Sequence, residues 1–216
     1  MTRSARARVL LADDHLMVAE ALRSLLAADF DLVGVVEDGP ALIEAARKLR
    51  PDVIVADITM PGLNGIDALA RLRQAGETVP VVFLTMHRDV AFARRALEAG
   101  ASGFVLKHSA SAELIMAIRA ALEGRTYLTP QIAGEVLTAM KQAPEPGAAP
   151  LASLTPRQRE VLQLLAEGEA VKAIATRLGI SARTVEFHKY QMMETLGIKT
   201  NAELVHFAIA QGLVEF

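Results

Sequence analysis

The 216-residue chain contains no cysteine. That excludes a disulfide framework and any thiolate metal site, and it fits a reducing compartment, the cytoplasm. No stretch approaches the ~20 unbroken apolar residues of a membrane span, so no membrane role is expected. An excess of one charge sign is missing too. The 23 Lys and Arg nearly balance 25 Asp and Glu, for a net charge of −2, and bulk charge gives no hint of nucleic acid. The opening Met1-Thr2-Arg3-Ser4-Ala5-Arg6-Ala7-Arg8 is basic, but only a short strand-like run follows it. It reads as a disordered arm rather than a signal peptide. At 52% hydrophobic and 22% charged, the chain lies in the globular range, with length for one large domain or two ordinary ones.

Four short apolar runs each end in a residue with distinct chemistry. Val9-Leu10-Leu11-Ala12 precedes Asp13 and Asp14, and Val53-Ile54-Val55-Ala56 precedes Asp57. Val81-Val82-Phe83-Leu84 precedes Thr85, and Gly103-Phe104-Val105-Leu106 precedes Lys107. Continuous apolar runs of this length suit strands buried on both faces of a parallel sheet. Such sheets form their sites beyond the carboxyl ends of their strands. Strand-like runs near 8–12, 31–36, 53–57, 80–85 and 103–106 alternate with helical patterns near 15–27, 39–49, 64–75, 89–99 and 111–123. The alternation predicts a doubly wound α/β domain with five parallel strands and helices on both faces.

At the shared strand edge three carboxylates would repel. Each pair costs on the order of 4 kcal/mol at ~4 Å and an effective dielectric of ~20. A hard divalent cation relieves this, and a carboxylate cluster that leaves waters in place suits Mg²⁺. An ion there could bridge the carboxylates to a phosphoryl group, with Lys107 pairing the developing charge and Thr85 bonding a phosphate oxygen. Asp57 would then be the nucleophile and form an acyl phosphate. The plainer alternative is a set of solvated loop acids and a surface lysine.

Leu11-Ala12-Asp13-Asp14-His15, Asp57-Ile58-Thr59-Met60-Pro61-Gly62-Leu63-Asn64-Gly65, Leu84-Thr85-Met86 and Gly103-Phe104-Val105-Leu106-Lys107 resemble the receiver domain of two-component response regulators. The resemblance covers roughly residues 7–124. It implies Asp57 as phosphoacceptor, Asp14 and Asp57 as direct Mg²⁺ ligands, Asp13 acting through water, and the Thr59 backbone carbonyl as a further ligand. It also implies that Phe104 rotates inward when Thr85 moves toward the phosphoryl group; an ordinary core aromatic is the alternative. Met86 and His108 depart from the common pattern of Ala or Ser after the threonine and Pro after the lysine. His15 reads as a helix-start residue rather than a metal ligand.

After Gly124 the composition shifts. Residues 129–141 suit one more helix, and Ala143-Pro144-Glu145-Pro146-Gly147-Ala148-Ala149-Pro150 reads as a Pro-stiffened linker. From Leu154 the pattern is helical throughout. Thr155-Pro156-Arg157-Gln158 and Thr200-Asn201-Ala202-Glu203 read as capping boxes. Gly179 closes a helix near 170–178, and Ser181 caps another near 182–196. Leu154-Thr155-Pro156-Arg157-Gln158-Arg159-Glu160-Val161-Leu162, Ile174-Ala175-Thr176-Arg177-Leu178-Gly179-Ile180-Ser181 and Thr184-Val185-Glu186-Phe187-His188 resemble the LuxR-type helix-turn-helix of the NarL/FixJ group. The resemblance implies a recognition helix starting at Ser181 that enters the major groove of double-stranded DNA.

Seven bases and seven acids cancel between 151 and 216, although DNA-binding domains usually show a basic footprint. Affinity is therefore expected from local placement. The candidates are Arg183, Thr184, Glu186, Phe187, His188, Lys189, Tyr190 and Lys199. Glu186 either accepts from a cytosine amino group or pairs with Arg183 or Lys189 at helix spacing. Ala170 stands at a helix start that usually carries a polar cap, so about 1 kcal/mol of capping is expected to be missing.

The expected domains are a receiver over 1–124, a helical and Pro/Ala-rich linker over 125–153 and a DNA-binding domain over 154–216. The expected function is transcription regulation, not enzymology. A sensor histidine kinase or small phosphodonor would phosphorylate Asp57, and the phosphorylated chain would bind promoter half-sites as a homodimer. The rival readings are a degenerate receiver on a constitutive DNA binder, a C-terminal domain serving protein contacts, and an aspartyl-phosphate hydrolase. The last wants a second Asp two residues beyond Asp57, where Thr59 stands.

Overall fold

The apolar runs form one parallel sheet: β1 (Arg8–Ala12), β2 (Asp31–Val36), β3 (Val53–Ala56), β4 (Val81–Thr85) and β5 (Gly103–Leu106), with β2 at one edge. The structure is a computed structural model that describes residues 6–86, 88–141 and 150–214. Residues 1–5 of the basic arm and 143–149 of the Pro-rich stretch lie outside the described residues; Arg8, expected in the arm, opens β1, and Pro150 opens a 3-10 turn over Pro150–Ser153.

Between the strands lie α1 (Leu16–Leu26), α2 (Gly39–Leu49), α3 (Gly65–Gln74), α4 (Val90–Glu98) and α5 (Ala110–Leu122). Strand alternation assigns the two faces. Val9, Leu11, Val53, Val55, Val82, Leu84 and Val105 form one cluster with Ala19, Leu22 and Leu26 of α1 and Leu114, Ala117, Ile118 and Ala121 of α5. Leu10, Ile54, Phe83 and Phe104 take the alternate positions and are fully buried toward the opposite face. Helix starts follow local chemistry: Asp38 accepts from Ala41 N at 2.7 Å, Asn64 from Asp67 N at 2.9 Å, and Asp89 from Ala91 N at 2.8 Å.

The sheet has six strands, not the five expected, in the order β2-β1-β3-β4-β5-β6. The sixth, β6 (Tyr127–Leu128), pairs with β5 in parallel, Gly103 opposite Tyr127 and Phe104 opposite Leu128. Two residues are too few to show any alternation, so sequence pattern could not reveal it. The helix expected near 129–141 follows as α6 (Pro130–Lys141), which packs against α4 and buries Ile132 and Val136.

The second compact unit is all helical: α7 (Pro156–Ala166), α8 (Val171–Leu178), α9 (Ala182–Leu196) and α10 (Asn201–Ala210). Thr155 with Gln158, and Thr200 with Glu203, close as capping boxes. Ala170 starts α8 without a side-chain cap. Gly179 takes φ 64°, a left-handed conformation that ends α8 and turns the chain into α9. Ser181 Oγ then accepts from Thr184 N at 3.0 Å and starts α9. The core is built from Leu154, Val161, Leu162, Leu164, Ile174, Val185, Met192, Leu204 and Ala208.

Candidate functional site

Adjacent parallel strands bring the site residues to one edge. Asp57 follows β3, and its N–H donates to the Ala12 carbonyl at the end of β1 at 2.8 Å, so the Asp57 and Asp13 backbones run side by side. Asp13 and Asp57 are buried, while Asp14 is about one-third exposed. Lys107, one residue past β5, reaches across with Nζ 2.5 Å from Asp57 Oδ2 and 2.9 Å from Asp13 Oδ2. Thr85 closes β4 and is fully buried, and Met86 after it is exposed. Thr59 is buried two residues beyond Asp57.

These groups hold each other's charge. Burial raises the Asp57 carboxyl from 3.8 to about 6, against the opposing pull of the Lys107 ammonium. Burial works most strongly against the Lys107 charge as well, but Asp57 and Asp13 together push its pKa up. The charged pair is thus the dominant state at neutral pH. Ile58 N donates to Asp57 Oδ1 at 2.6 Å and fixes the carboxylate's orientation.

Asp13, Asp14, His15 and Asp57 each offer a ligand atom within 4.8 Å of the others. Asp13 Oδ2 and Asp14 Oδ1 are buried and accept no well-directed hydrogen bond, although each has a cationic group nearby, Lys107 and His15 respectively. Buried carboxylate oxygens with unused acceptor capacity fit a hard cation. Three carboxylates and a buried backbone turn make a hard oxygen donor set suited to Mg²⁺. His15 is the residue before α1, and its Nδ1 lies 2.8 Å from Asp14 Oδ1, so it engages the carboxylate.

Sequence reasoning gave no role to Gly65. A Cβ there would come within 2.2 Å of the Asp57 carbonyl oxygen, so the start of α3 can approach the Asp57 backbone only as glycine. Asn64 before it caps α3, and the Asn-Gly pair after a strand end was the available signal. His108, which departs from the common pattern of Pro after the lysine, has its Nε2 2.9 Å from Gln131 Oε1 on α6 and 3.5 Å from Arg88.

The proposed DNA-contacting residues divide into three groups. Arg183, Glu186, Phe187 and Tyr190 are exposed at helical spacing on one face of α9. Thr184 and His188 are half-buried. The Thr184 hydroxyl lies 2.8 Å from Ser181 Oγ within the cap, and burial, then Arg157, lowers the His188 pKa. Lys189 is half-buried and pairs with Glu186 Oε2 at 3.0 Å, the internal partner that helix spacing allowed. Lys199 is exposed in the turn before α10, with its N–H donating to Glu203 Oε2.

A carboxylate pocket at the carboxyl edge of a doubly wound sheet, carried in one chain with a helix-turn-helix, defines a class of signal-receiving, DNA-binding regulators. Comparison with known proteins agrees. Residues 9–119 match the family model described as "Response regulator receiver domain", and residues 152–208 match "Bacterial regulatory proteins, luxR family". The chain is 33% identical to the response regulator GacA of Pseudomonas viridiflava over 211 residues, spanning 96% of this chain and 98% of that protein. A Salmonella typhimurium RcsB response regulator structure covers 98% of this chain and 100% of its own, at 28% identity and a TM-score of 0.66. A second RcsB structure, from Salmonella enterica serovar Typhimurium and bound to promoter rprA in the presence of phosphomimetic BeF3-, gives 27% identity and a TM-score of 0.64 over 95% of this chain and 100% of that one. The chain belongs to the two-component response regulators of the NarL/FixJ group, with a receiver domain and a LuxR-type helix-turn-helix.

Proposed function

We propose that phosphorylation of Asp57 by a sensor histidine kinase switches this regulator into a homodimer that binds promoter half-sites in double-stranded DNA. The observation that carries this reading is the buried Asp57 carboxylate held 2.5 Å from Lys107 Nζ, with Asp13 and Asp14 crowding the same space. An ionised Asp57 oxygen forms the new P–O bond, the P–N bond to the kinase imidazole breaks, and the imidazole leaves with its electron pair. Lys107 meets the charge that gathers on the phosphoryl oxygens. Asp13, Asp14, Asp57 and the Thr59 backbone carbonyl would hold Mg²⁺, which when bound offsets the repulsion between carboxylate and phosphoryl group.

The phosphoryl group then engages the Thr85 hydroxyl, and Phe104 couples that movement to the rest of the receiver. On DNA, α9 enters the major groove with Arg183, Thr184, Glu186, Phe187, His188, Lys189 and Tyr190, and Lys199 joins from the following turn. RcsB bound to a promoter with a phosphomimetic present supports this order of events. The working division is a receiver over 1–124, a DNA-binding domain over 154–216, and a connecting segment over 125–153 whose β6 and α6 fold onto the receiver. The protein is a regulator and not an enzyme, and it acts in the cytoplasm. Among the described residues no helix is long and apolar enough to cross a membrane.

Incubation with acetyl phosphate and Mg²⁺ tests the central step. Intact-protein mass spectrometry should show one added phosphoryl group, labile to hydroxylamine and absent after chelation. Equal labelling of Asp57→Asn would remove Asp57 from its role.

A further inference from the structure

Aromatic side chains are scarce in this chain: seven Phe, two Tyr and no Trp. Among the described residues those that stand exposed are Phe187, at 55%, and Tyr190, at 67%, both on α9 and three residues apart. Folding does not account for them. The second unit closes its core with Val185 and Met192 on the opposite side of α9, and Phe187 is not part of it. Arg183 and Glu186 share the exposed face, and Lys189 holds the Glu186 carboxylate at 3.0 Å. This surface combines an apolar ring with a fixed acceptor, where a non-specific DNA binder would present cations.

B-DNA offers one apolar feature in its major groove, the 5-methyl group of thymine. We propose that Phe187 reads the 5-methyl group of a pyrimidine, with Glu186 beside it accepting from the exocyclic amino group of a neighbouring base. This rests on the reading that α9 enters the major groove. A phenyl ring makes no hydrogen bond to a base edge, so its discrimination is for the methyl alone. Glu186 supplies the polar half of the readout, because a carboxylate accepts from the amino group of cytosine and repels an acceptor edge. Tyr190, next along the same face, is placed to bond a phosphate through its hydroxyl and to set the depth of the ring.

The test uses the full chain with Mg²⁺ and beryllofluoride. Selection from a random-sequence duplex pool gives a preferred site, and deoxyuridine then replaces each thymine in turn, removing the methyl and nothing else. The wild type should lose about fourfold in affinity at the position Phe187 occupies, the worth of one buried methyl. Phe187→Ala should bind the thymine and uracil duplexes equally, and Phe187→Leu should keep part of the difference. If the selected base at that position is cytosine, methylating it at carbon 5 should raise wild-type affinity by the same factor. A site-selective protein indifferent to every methyl, or Phe187→Ala as methyl-sensitive as the wild type, would overturn the proposal and leave DNA binding standing. Failure of the activated protein to retain any duplex would overturn the DNA reading, and this inference with it.

Discussion

The Asp57 carboxyl binds a proton more tightly in the folded chain than in the unfolded one, about 6 against 3.8, because burial disfavours its charge. The folded state therefore carries more protons than the unfolded state between those values, and stability falls as pH rises through that window. In the metal-free protein the loss between pH 5 and 7.5 should be on the order of 1 kcal/mol from this group. Asp57→Asn should flatten that dependence and make the receiver more stable at pH 7.5, as urea unfolding in chelator would show. An unchanged slope in the variant would mean that Lys107 fully offsets the burial. A second effect belongs to Gly65. Gly65→Ala drives a Cβ into the Asp57 carbonyl oxygen, so the backbone must move, at a cost of roughly 1–3 kcal/mol. Both unfolding free energy and the rate of acetyl phosphate labelling should fall. The five ionic and hydroxyl residues of the pocket were legible because each closes an apolar run. Gly65 was not, because its constraint is a distance between two backbone segments that no local pattern records.

Elements were legible in proportion to their length. The strands over 8–12, 31–36 and 103–106 fall where the apolar runs put them, and the capped helices start at the residues whose side chains cap them. β6 escaped notice for want of length, and it is held by a side chain. Thr129, fully buried, accepts from Leu106 N at 3.2 Å and donates to Glu113 Oε2 at 2.7 Å, so one hydroxyl ties β5, α5 and the start of α6 together. Thr129→Val leaves a buried N–H and a carboxylate oxygen without that partner and should destabilise the receiver by about 1–3 kcal/mol. Loss of α6 protection in hydrogen exchange, ahead of global unfolding, is the expected signature. At α8 the opposite is available. Ala170 occupies an N-cap position in extended conformation with no side-chain acceptor, so Ala170→Asp should stabilise the helical unit by about 1 kcal/mol. Its melting temperature should rise while that of the receiver stays put.

For the whole molecule, the proposed function requires one phosphoryl group on Asp57 to change what the DNA-binding unit does. Reversing a 1:99 population to 99:1 takes about 5.5 kcal/mol of differential binding. On the proposed reading, a phosphoryl group held by Thr85, Lys107 and a divalent ion in that buried pocket would supply energy of this kind. Thr85→Ala should still be phosphorylated but should fail to shift in sedimentation velocity on adding beryllofluoride. A normal shift in that variant would place the coupling elsewhere. The composition break after Gly124 announced a second unit. Within 125–153, β6 and α6 fold onto the receiver while Leu151 joins the core of the helical unit, and residues 142–149 between them lie outside the described residues.

That packing bears on any attempt to isolate the receiver. Residues 1–124 look self-sufficient from sequence, yet a cut there strips β6 from β5 and leaves the hydrogen-bonding groups of Gly103 and Phe104 bare along an apolar edge. Uncovered edges of this kind invite pairing with other chains. An excised receiver ending at Gly124 should therefore aggregate or associate through β5, while one ending at Lys141 stays monodisperse. The fragment's last residue, more than any feature of its carboxylate pocket, decides whether it can be handled in solution.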